Sequence, residues 1–214
     1  MIKVKDTISN YRGIPAMTPP IVHEYLHELG LRWNNKGVVI ELGCWLGATT
    51  RALLDGLGEN YNYPYYCYDR WKANNQEVEK AKLQGINLKI GQDLSWLFLE
   101  NVNYKNICAF QGDISKNIKN YFGDNIEICL FDAPKRNPVF KQCMYTLLPY
   151  FIPGVTILGL LDYYFYQRQA DTKRYNDFLA PVNFINDHKE NFEKLAEWPS
   201  ECSCVFFKYI KEIK

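Results

Sequence analysis

Short apolar runs alternate with longer amphipathic stretches along most of this chain. The apolar runs predict strands at residues 37–43, 64–69, 106–112, 126–132, 154–161 and 202–210, with a shorter one at 192–198. Apolar positions at helical spacing predict helices at residues 47–57, 75–84, 114–122, 137–151 and 169–180. Strands that are apolar on both faces and alternate with helices indicate a mostly parallel sheet that helices cover on both sides. We therefore expect an α/β fold with a doubly wound, seven-stranded sheet, whose ligand crevice lies at the carboxyl ends of the strands.

Length and composition fit one compact domain. The chain has 214 residues, of which 47% are apolar and 15% aromatic, so it is globular and long enough to bury a substantial core. We expect a single domain over residues 1–214, with a helical lead-in over about residues 1–36 before the first strand. Lys and Arg number 25 and Asp and Glu 24, a balance that gives no support for nucleic-acid or membrane binding.

The N-terminus and the cysteines favour a cytoplasmic protein. Met1 is followed by the charged stretch IKVKD rather than by the apolar run of a signal peptide. No apolar run, VTILGLL included, is long enough to span a membrane. The seven cysteines are odd in number and match no disulfide framework, and several lie inside apolar runs, so we expect them to be reduced.

Acidic residues end or directly follow four of the predicted strands, at the edge where ligands bind in such a sheet. They are Asp69, Asp113, Asp132 and Asp162. A single acid after a strand is often only the N-cap of the next helix, and each of the four keeps that simpler interpretation. Four acids along one edge together indicate a binding site.

The segment ELGCWLGATT, residues 41–50, follows the first strand and opens a helix. Gly43 permits a tight turn there, and Gly47 allows the helix to begin close to a ligand without a Cβ in the way. The Gly-x-x-x-Gly spacing offers fewer bare backbone amides than a pyrophosphate-binding loop needs. Glu41, just before the loop, would repel phosphates, so the segment favours a cationic ligand. A plain strand-to-helix turn is the structural alternative.

This loop and the acids after it resemble the S-adenosylmethionine (SAM) site of class I methyltransferases. E-x-G-x-x-x-G-x-T matches their loop, Asp69 in YCYDRW matches the acid that holds the ribose hydroxyls, and Asp113 in FQGDIS matches the acid near the adenine. FEKLAEWPSECSCVFFKYI is similar to their closing antiparallel strands, and the match spans residues 35–210. The resemblance implies a Rossmann-like methyltransferase fold with an antiparallel strand near the C-terminus. It also implies that SAM is bound by Glu41, Gly43, Cys44, Trp45, Gly47, Asp69, Arg70, Asp113, Ile114 and Asp132.

Two further segments resemble the metal-dependent O-methyltransferases of the catechol and caffeoyl-CoA type. LFDAPKRNPVF carries Asp132 and Lys135 as D-x-x-K after the fourth strand, and LGLLDYYFY places Asp162 after the fifth. The layout is also similar to that of macrocin-type sugar O-methyltransferases, which carry other residues in place of the Lys. The resemblance implies that Asp132 and Asp162 hold Mg²⁺ and that Lys135, with Asp132, is catalytic and deprotonates the acceptor. Tyr163 stands where the family has Asn, and Tyr is a poor ligand for Mg²⁺.

His23-Glu24-x-x-His27 has the HExxH spacing of zinc metalloproteases, in which two His on one helix face bind Zn²⁺. The third ligand of the extended pattern would fall at Trp33, and the only other histidine is His188. The segment PIVHEYLHELG therefore fits an amphipathic N-terminal helix better. Its inward-facing residues would be Ile21, Tyr25 and Leu29.

Together these features predict a SAM-dependent O-methyltransferase that acts on a sugar or phenolic hydroxyl of a small molecule. The segment YYFY, residues 163–166, would form an apolar wall for that acceptor. The expected partners are the acceptor and a second copy of the chain in a homodimer, with neither nucleic acid nor a membrane. Two alternatives remain: a protein of the same fold that binds SAM without turnover, and a zinc hydrolase built on HEYLH.

Overall fold

The N-terminal part combines a hairpin with a helix. A computed structural model describes residues 9–213; residues 1–8 of the predicted lead-in and residue 214 lie outside the described part. Strands β1 (Ser9–Tyr11) and β2 (Ile14–Ala16) form an antiparallel hairpin, and helix α1 (Pro20–Leu31) follows. The prediction of a helical lead-in was therefore wrong for the hairpin. Arg12 and Gly13, both with positive φ, turn the chain back between the two strands.

Helix α1 buries a face that differs from the predicted one. Its buried residues are Val22, His23, Leu26 and Gly30. Of the residues predicted to face inward, Tyr25 and Leu29 are half-buried, and Ile21 is 42% exposed. Helix α2 (Ala48–Leu57) packs so closely against α1 that a Cβ at Gly56 would lie 2.0 Å from the carbonyl oxygen of His27. This close crossing decides which face of α1 is covered.

The main sheet confirms the predicted topology. Within residues 9–213 its strands are β3 (Val38–Leu42), β4 (Tyr65–Asp69), β5 (Ile107–Gln111), β6 (Ile126–Phe131), β7 (Ile157–Leu160), β8 (Phe192–Trp198) and β9 (Cys204–Tyr209). They stand in the order β5-β4-β3-β6-β7-β9-β8. The five strands from β5 to β7 in this order are parallel, whereas β9 is antiparallel to both β7 and β8. The strand order reverses beside β3, as a doubly wound sheet requires.

Helices cover both faces of the sheet. Besides α1 and α2 they are α3 (Asn75–Lys82), α4 (Ser95–Val102), α5 (Ile114–Asn117), α6 (Val139–Leu147), α7 (Tyr175–Phe178) and α8 (Ala180–Asp187). Short 3₁₀ turns lie at Ile118–Asn120, Leu148–Tyr150, Phe165–Gln169 and Lys189–Asn191. In the part of the chain that the structure describes, no helix has the length and apolar character needed to cross a bilayer.

Two helical segments differ from the prediction. Helix α4 was not predicted, because the apolar residues of SWLFLENV show no clear helical period; the burial of Phe98 and Val102 orients it. The helix predicted over residues 169–180 is instead divided among a 3₁₀ turn, α7 and α8. Pro181 lies in the first turn of α8, where proline favours the start of a new helix.

The core forms two clusters, one on each face of the sheet. Along β3, Val39 belongs to one cluster, whereas Val38 and Ile40 belong to the other. Successive residues of a strand point to opposite faces, so both faces of β3 are covered. Burial on both sides explains why the strand is apolar throughout, apart from Glu41.

Candidate functional site

A cavity of about 900 Å³ lies at the carboxyl edge of strands β3 to β7. The predicted site residues that line it are Gly43, Trp45, Asp69, Arg70, Asp113, Ile114, Asp132, Lys135 and Asp162. Parallel strands end at the same edge of a sheet, and loops on both sides of the strand-order reversal leave a crevice between them. The sheet thus brings all four strand-end acids to one cavity, although 93 positions separate Asp69 from Asp162.

Gly43 allows the loop after β3 to approach the end of β6. Its φ of +97° lies in the left-handed region, and a Cβ there would be 2.6 Å from the backbone nitrogen of Ala133. Both facts require glycine at this position. The amide of Gly43 donates to the carbonyl of Tyr68 at 2.7 Å, so β4 holds the loop on its other side.

The carboxylate of Asp69 organises this loop. Its Oδ2 accepts the backbone N–H groups of Cys44 (2.8 Å) and Trp45 (2.9 Å), and its Oδ1 accepts that of Trp71 (2.7 Å). These three charge-assisted bonds occupy most of the acceptor sites of one carboxylate. Asp69 therefore shapes the loop in addition to lining the cavity, a role that the sequence did not reveal.

Glu41 lies beneath the loop and outside the cavity wall, contrary to its prediction as a cofactor-binding residue. Its carboxylate is fully buried and accepts the hydroxyl groups of Thr49 (2.5 Å), Thr50 (2.7 Å) and Tyr65 (2.7 Å). Burial raises the pKa of Glu41, and the three hydroxyl donors partly offset this effect. Glu41 thus fastens the first turn of α2 to β3 and β4.

Cys44 and Gly47 also support the loop without lining the cavity, which corrects two further predicted contacts. The side chain of Cys44 is 3% exposed and lies beside Cys67. Gly47 has a φ of +92°, and a Cβ there would be 2.6 Å from Cγ2 of Val102 on α4. Gly47 therefore makes room for a neighbouring helix rather than for a ligand.

Asp113 caps helix α5 at the edge of the cavity. Its carboxylate accepts the backbone N–H (2.9 Å) and the hydroxyl (2.7 Å) of Ser115, which is the pattern of a helix N-cap. The hydrogen bond from the Ser115 hydroxyl lowers the pKa of Asp113, so its carboxylate is charged at neutral pH. Asp113 thus both caps α5 and lines the cavity, and Ile114 lines the cavity beside it.

Asp132, Lys135 and Asp162 form one charged group at the ends of β6 and β7. The ammonium of Lys135 pairs with the carboxylate of Asp162 and lies 4.4 Å from the ring centroid of Phe165. Burial lowers the pKa of Lys135, but the negative charges of Asp162 and Asp132 outweigh it and leave the pKa raised. Burial, followed by the charge of Asp162, raises the pKa of Asp132. Lys135 is therefore protonated at neutral pH, which does not favour its predicted role as the general base.

Comparison with solved structures identifies the fold. An O-methyltransferase from Bacillus cereus in complex with S-adenosylhomocysteine (SAH) matches with a TM-score of 0.59 at 14% identity, over 91% of this chain and 82% of that one. O-methyltransferase TomG from Streptomyces achromogenes, in complex with SAM, gives 0.57 at 12% identity, over 92% and 82%. A candidate rRNA methylase from Clostridium thermocellum gives 0.54 at 15% identity, over 96% and 99%. The chain has the class I methyltransferase fold. No family model matches its sequence, and no curated protein does.

The charged group does not fit the Mg²⁺ site of the metal-dependent methyltransferases, in which two acids and an Asn hold the ion. Asp162 is already paired with the ammonium of Lys135. Tyr163, at the position of the Asn, is 8% exposed, and its ring packs 5.7 Å from that of Phe207 in the core. The ammonium of Lys135 would repel a divalent cation and compete with it for the carboxylate of Asp162. The predicted metal site therefore lacks a third protein ligand and contains a competing cation.

The remaining wall of the cavity combines one residue of the aromatic segment YYFY with residues that no sequence motif indicated. Within the segment YYFY, Phe165 lines the cavity, whereas Tyr163 packs in the core. Arg168, Thr18 and Cys202 also line it. The aromatic character of the segment indicated that Phe165 would line the site. No sequence pattern indicated Thr18 or Cys202, since they lie near the two ends of the chain and line the same cavity only in the folded protein.

The HEYLH segment is a packing element of α1. His23 is 1% exposed, its Nε2 forms a 2.7 Å hydrogen bond with Oγ1 of Thr18, and its ring contacts that of Tyr11 edge-on at 5.4 Å. Among residues 9–213, the only group of three His, Cys, Asp or Glu ligands close enough to hold a metal ion excludes both His23 and His27. The zinc-hydrolase alternative thus finds no site in the described structure.

Proposed function

We propose that this chain transfers a methyl group from SAM to a hydroxyl oxygen of a small-molecule acceptor. The observation that carries the proposal is one cavity in a methyltransferase-fold sheet that combines the Gly43 loop, the strand-end acids Asp69 and Asp113, and the charged group around Lys135. This edge of a doubly wound sheet, beside the reversal of strand order, is the usual ligand site of such folds.

The loop side of the cavity suits SAM. SAM carries a sulfonium and an ammonium but no phosphate, and acidic side chains favour such a ligand over a phosphate-bearing one. We assign its binding to residues of the cavity wall: Gly43, Trp45, Asp69, Arg70, Asp113, Ile114 and Asp132. The structures of this fold that hold SAM or SAH support the assignment.

The opposite side of the cavity suits a small acceptor. Phe165 and Leu161 supply apolar surface there, and Thr18 and Lys135 supply polar groups. Apolar surface beside a few convergent polar groups is typical of small-molecule sites. O-methyltransferases and a candidate rRNA methylase share this fold, so the fold alone does not distinguish a small acceptor from a nucleic acid. The charge does: 25 basic residues balance 24 acidic ones, which does not favour a nucleic-acid acceptor.

The charged group has the parts that the transfer needs. The acceptor oxygen forms a bond to the methyl carbon while the carbon–sulfur bond of SAM breaks, which leaves SAH, and the hydroxyl proton passes to a base. Because Lys135 is paired with Asp162, we assign the base to Asp132, which lines the cavity beside it. The ammonium of Lys135 then stabilises the negative charge that develops on the acceptor oxygen.

We also propose that the protein is cytoplasmic. All seven cysteines are unpaired, as expected in a reducing compartment. Homodimer formation stays a prediction, which size-exclusion chromatography with light scattering would check.

Calorimetry with SAM and SAH, with ATP as a control ligand, tests the cofactor assignment. We expect micromolar affinity for both, about −8 kcal/mol, and no binding of ATP. The absence of both binding heat and a thermal shift with SAM and SAH would refute the proposal. Tritiated SAM with pooled hydroxylated small molecules then tests turnover. SAM binding without product from any pool would favour the alternative of a binding protein without turnover.

A further inference from the structure

A side chain of this protein, Lys135, places a positive charge at the proposed acceptor site. The Lys135 ammonium lies at the cavity wall and pairs with Asp162 from the neighbouring strand end. Both side chains are partly buried, at 29% and 18% exposure. A partly buried ion pair is screened less than one on the open surface, so its charge acts on a bound ligand. The cavity thus has a built-in positive charge where the acceptor oxygen is proposed to react.

Three elements fix the position of this ammonium. Lys135 follows β6 in a turn that its backbone N–H closes onto the carbonyl of Ala133 at 2.9 Å. Asp162 follows β7, and the face of the Phe165 ring, on the next 3₁₀ turn, lies 4.4 Å from Nζ. The ring itself packs against Phe178 at 5.0 Å. Cation–π contact and ion pairing therefore hold Nζ from two sides.

The same positions do not supply the ligands that a divalent cation needs. The position that would supply a third oxygen ligand is Tyr163, whose ring is packed between Tyr164 (5.0 Å) and Phe207 (5.7 Å) in the core. Mg²⁺ demands octahedral oxygen coordination, and a neighbouring ammonium competes for the carboxylates it would use. Lys135 pairs with Asp162 in its place.

We infer that the Lys135 ammonium, clamped by Asp162 and Phe165, replaces the divalent cation, so that methyl transfer by this chain is metal-independent. The inference rests on the proposed function. The ammonium takes over the electrostatic task of a metal, stabilising the acceptor oxygen as it loses its proton. The proton goes to a separate base, since a protonated amine cannot accept it.

The first test measures metal binding directly. Metal-free wild-type protein, with saturating SAH, is titrated with Mn²⁺ and followed by electron paramagnetic resonance. We expect the spectrum of free Mn²⁺ at every protein concentration, as in a matched sample of buffer. Stoichiometric loss of the free signal that EDTA reverses would overturn the inference. This readout needs no acceptor.

The second test measures turnover, with an acceptor found by the pooled assay. EDTA and added Mg²⁺ should each change the wild-type rate by less than twofold. Lys135→Ala should lower kcat by at least 100-fold with or without Mg²⁺, while its affinity for SAH stays within twofold; Lys141→Ala, on the exposed face of α6, is the matched control and should behave as wild type. A rate that EDTA abolishes, or an active Lys135→Ala variant, would overturn the inference while leaving the methyltransferase assignment intact. Failure of the wild type to bind SAM would instead refute the proposed function.

Discussion

The carboxylate of Asp69, at the end of β4, accepts the backbone N–H of Trp45 at 2.9 Å in the loop that follows β3. The contact joins two neighbouring strands where their loops separate. Trp71 completes the arrangement, since its indole N–H donates to the carbonyl of Trp45 at 2.9 Å. An acid that the sequence assigned to the ligand therefore also builds the loop that we propose to bind it.

Replacing Asp69 should show this double role. Asp69→Ala leaves the N–H groups of Cys44, Trp45 and Trp71 without their acceptor, and we expect SAM binding to weaken by about 1.5–3 kcal/mol. Asp69→Asn keeps one neutral acceptor oxygen, so its loss should be smaller. Calorimetric titration with SAM measures both. Wild-type affinity in the Ala variant would contradict the prediction.

Gly43→Ala should damage the site through the backbone. The new Cβ would meet Ala133 at 2.6 Å and the residue would have to keep a φ of +97°, so we expect a loss of about 3 kcal/mol in the free energy of unfolding. Gly85→Ala is the matched control, because Gly85 has a φ of +81° with open space around it and should lose only about 1 kcal/mol. Urea denaturation compares the two. Equal losses would show that the contact with Ala133 is unimportant.

Phe165→Ala should affect the acceptor and spare the cofactor. Loss of the ring removes apolar wall from the cavity and one side of the clamp on Lys135. We expect the KM for the acceptor to rise about tenfold, equivalent to about 1.4 kcal/mol, with an unchanged Kd for SAH. Tyr166→Phe is the control for changes in the 3₁₀ turn that holds Phe165, because Tyr166 is the next residue and is not part of the cavity wall. It should behave as wild type. An equal rise in both constants would mean that Phe165 supports the whole site.

His23 should make stability depend on pH. Burial lowers its pKa from 6.5 to about 4, so between these values the unfolded chain binds a proton that the folded protein does not. Stability is therefore full above pH 6.5 and falls as the pH drops towards 4, by roughly 3 kcal/mol in total. Urea denaturation across this range would measure it. His23→Gln should remove this component of the slope, whereas His27→Gln, at a half-buried position, should keep it.

The sequence by itself determined the architecture. A parallel strand between two helical layers must be apolar on both faces, and that requirement is visible in the runs that became β3, β4, β6 and β7. The acids at the strand ends were also visible, because each lies at the end of its strand or within two residues after it. The parallel sheet then carried Asp69, Asp113, Asp132 and Asp162 to one edge without further information.

Only the tertiary structure decided which groups face the cavity. Glu41 and Gly47 belong to the matched loop motif, yet one is bonded to three hydroxyl groups beneath the loop and the other packs against α4, a helix that the sequence did not predict. The direction in which a side chain points depends on the elements packed against it, and those are distant in sequence. The pairing of Lys135 with Asp162 has the same origin: β6 and β7 are neighbours in the sheet, so the ammonium finds a carboxylate 27 positions away. The sequence motifs contain both charged residues, but only their contact in the folded protein indicates that Lys135, predicted to be the base, is a fixed cation.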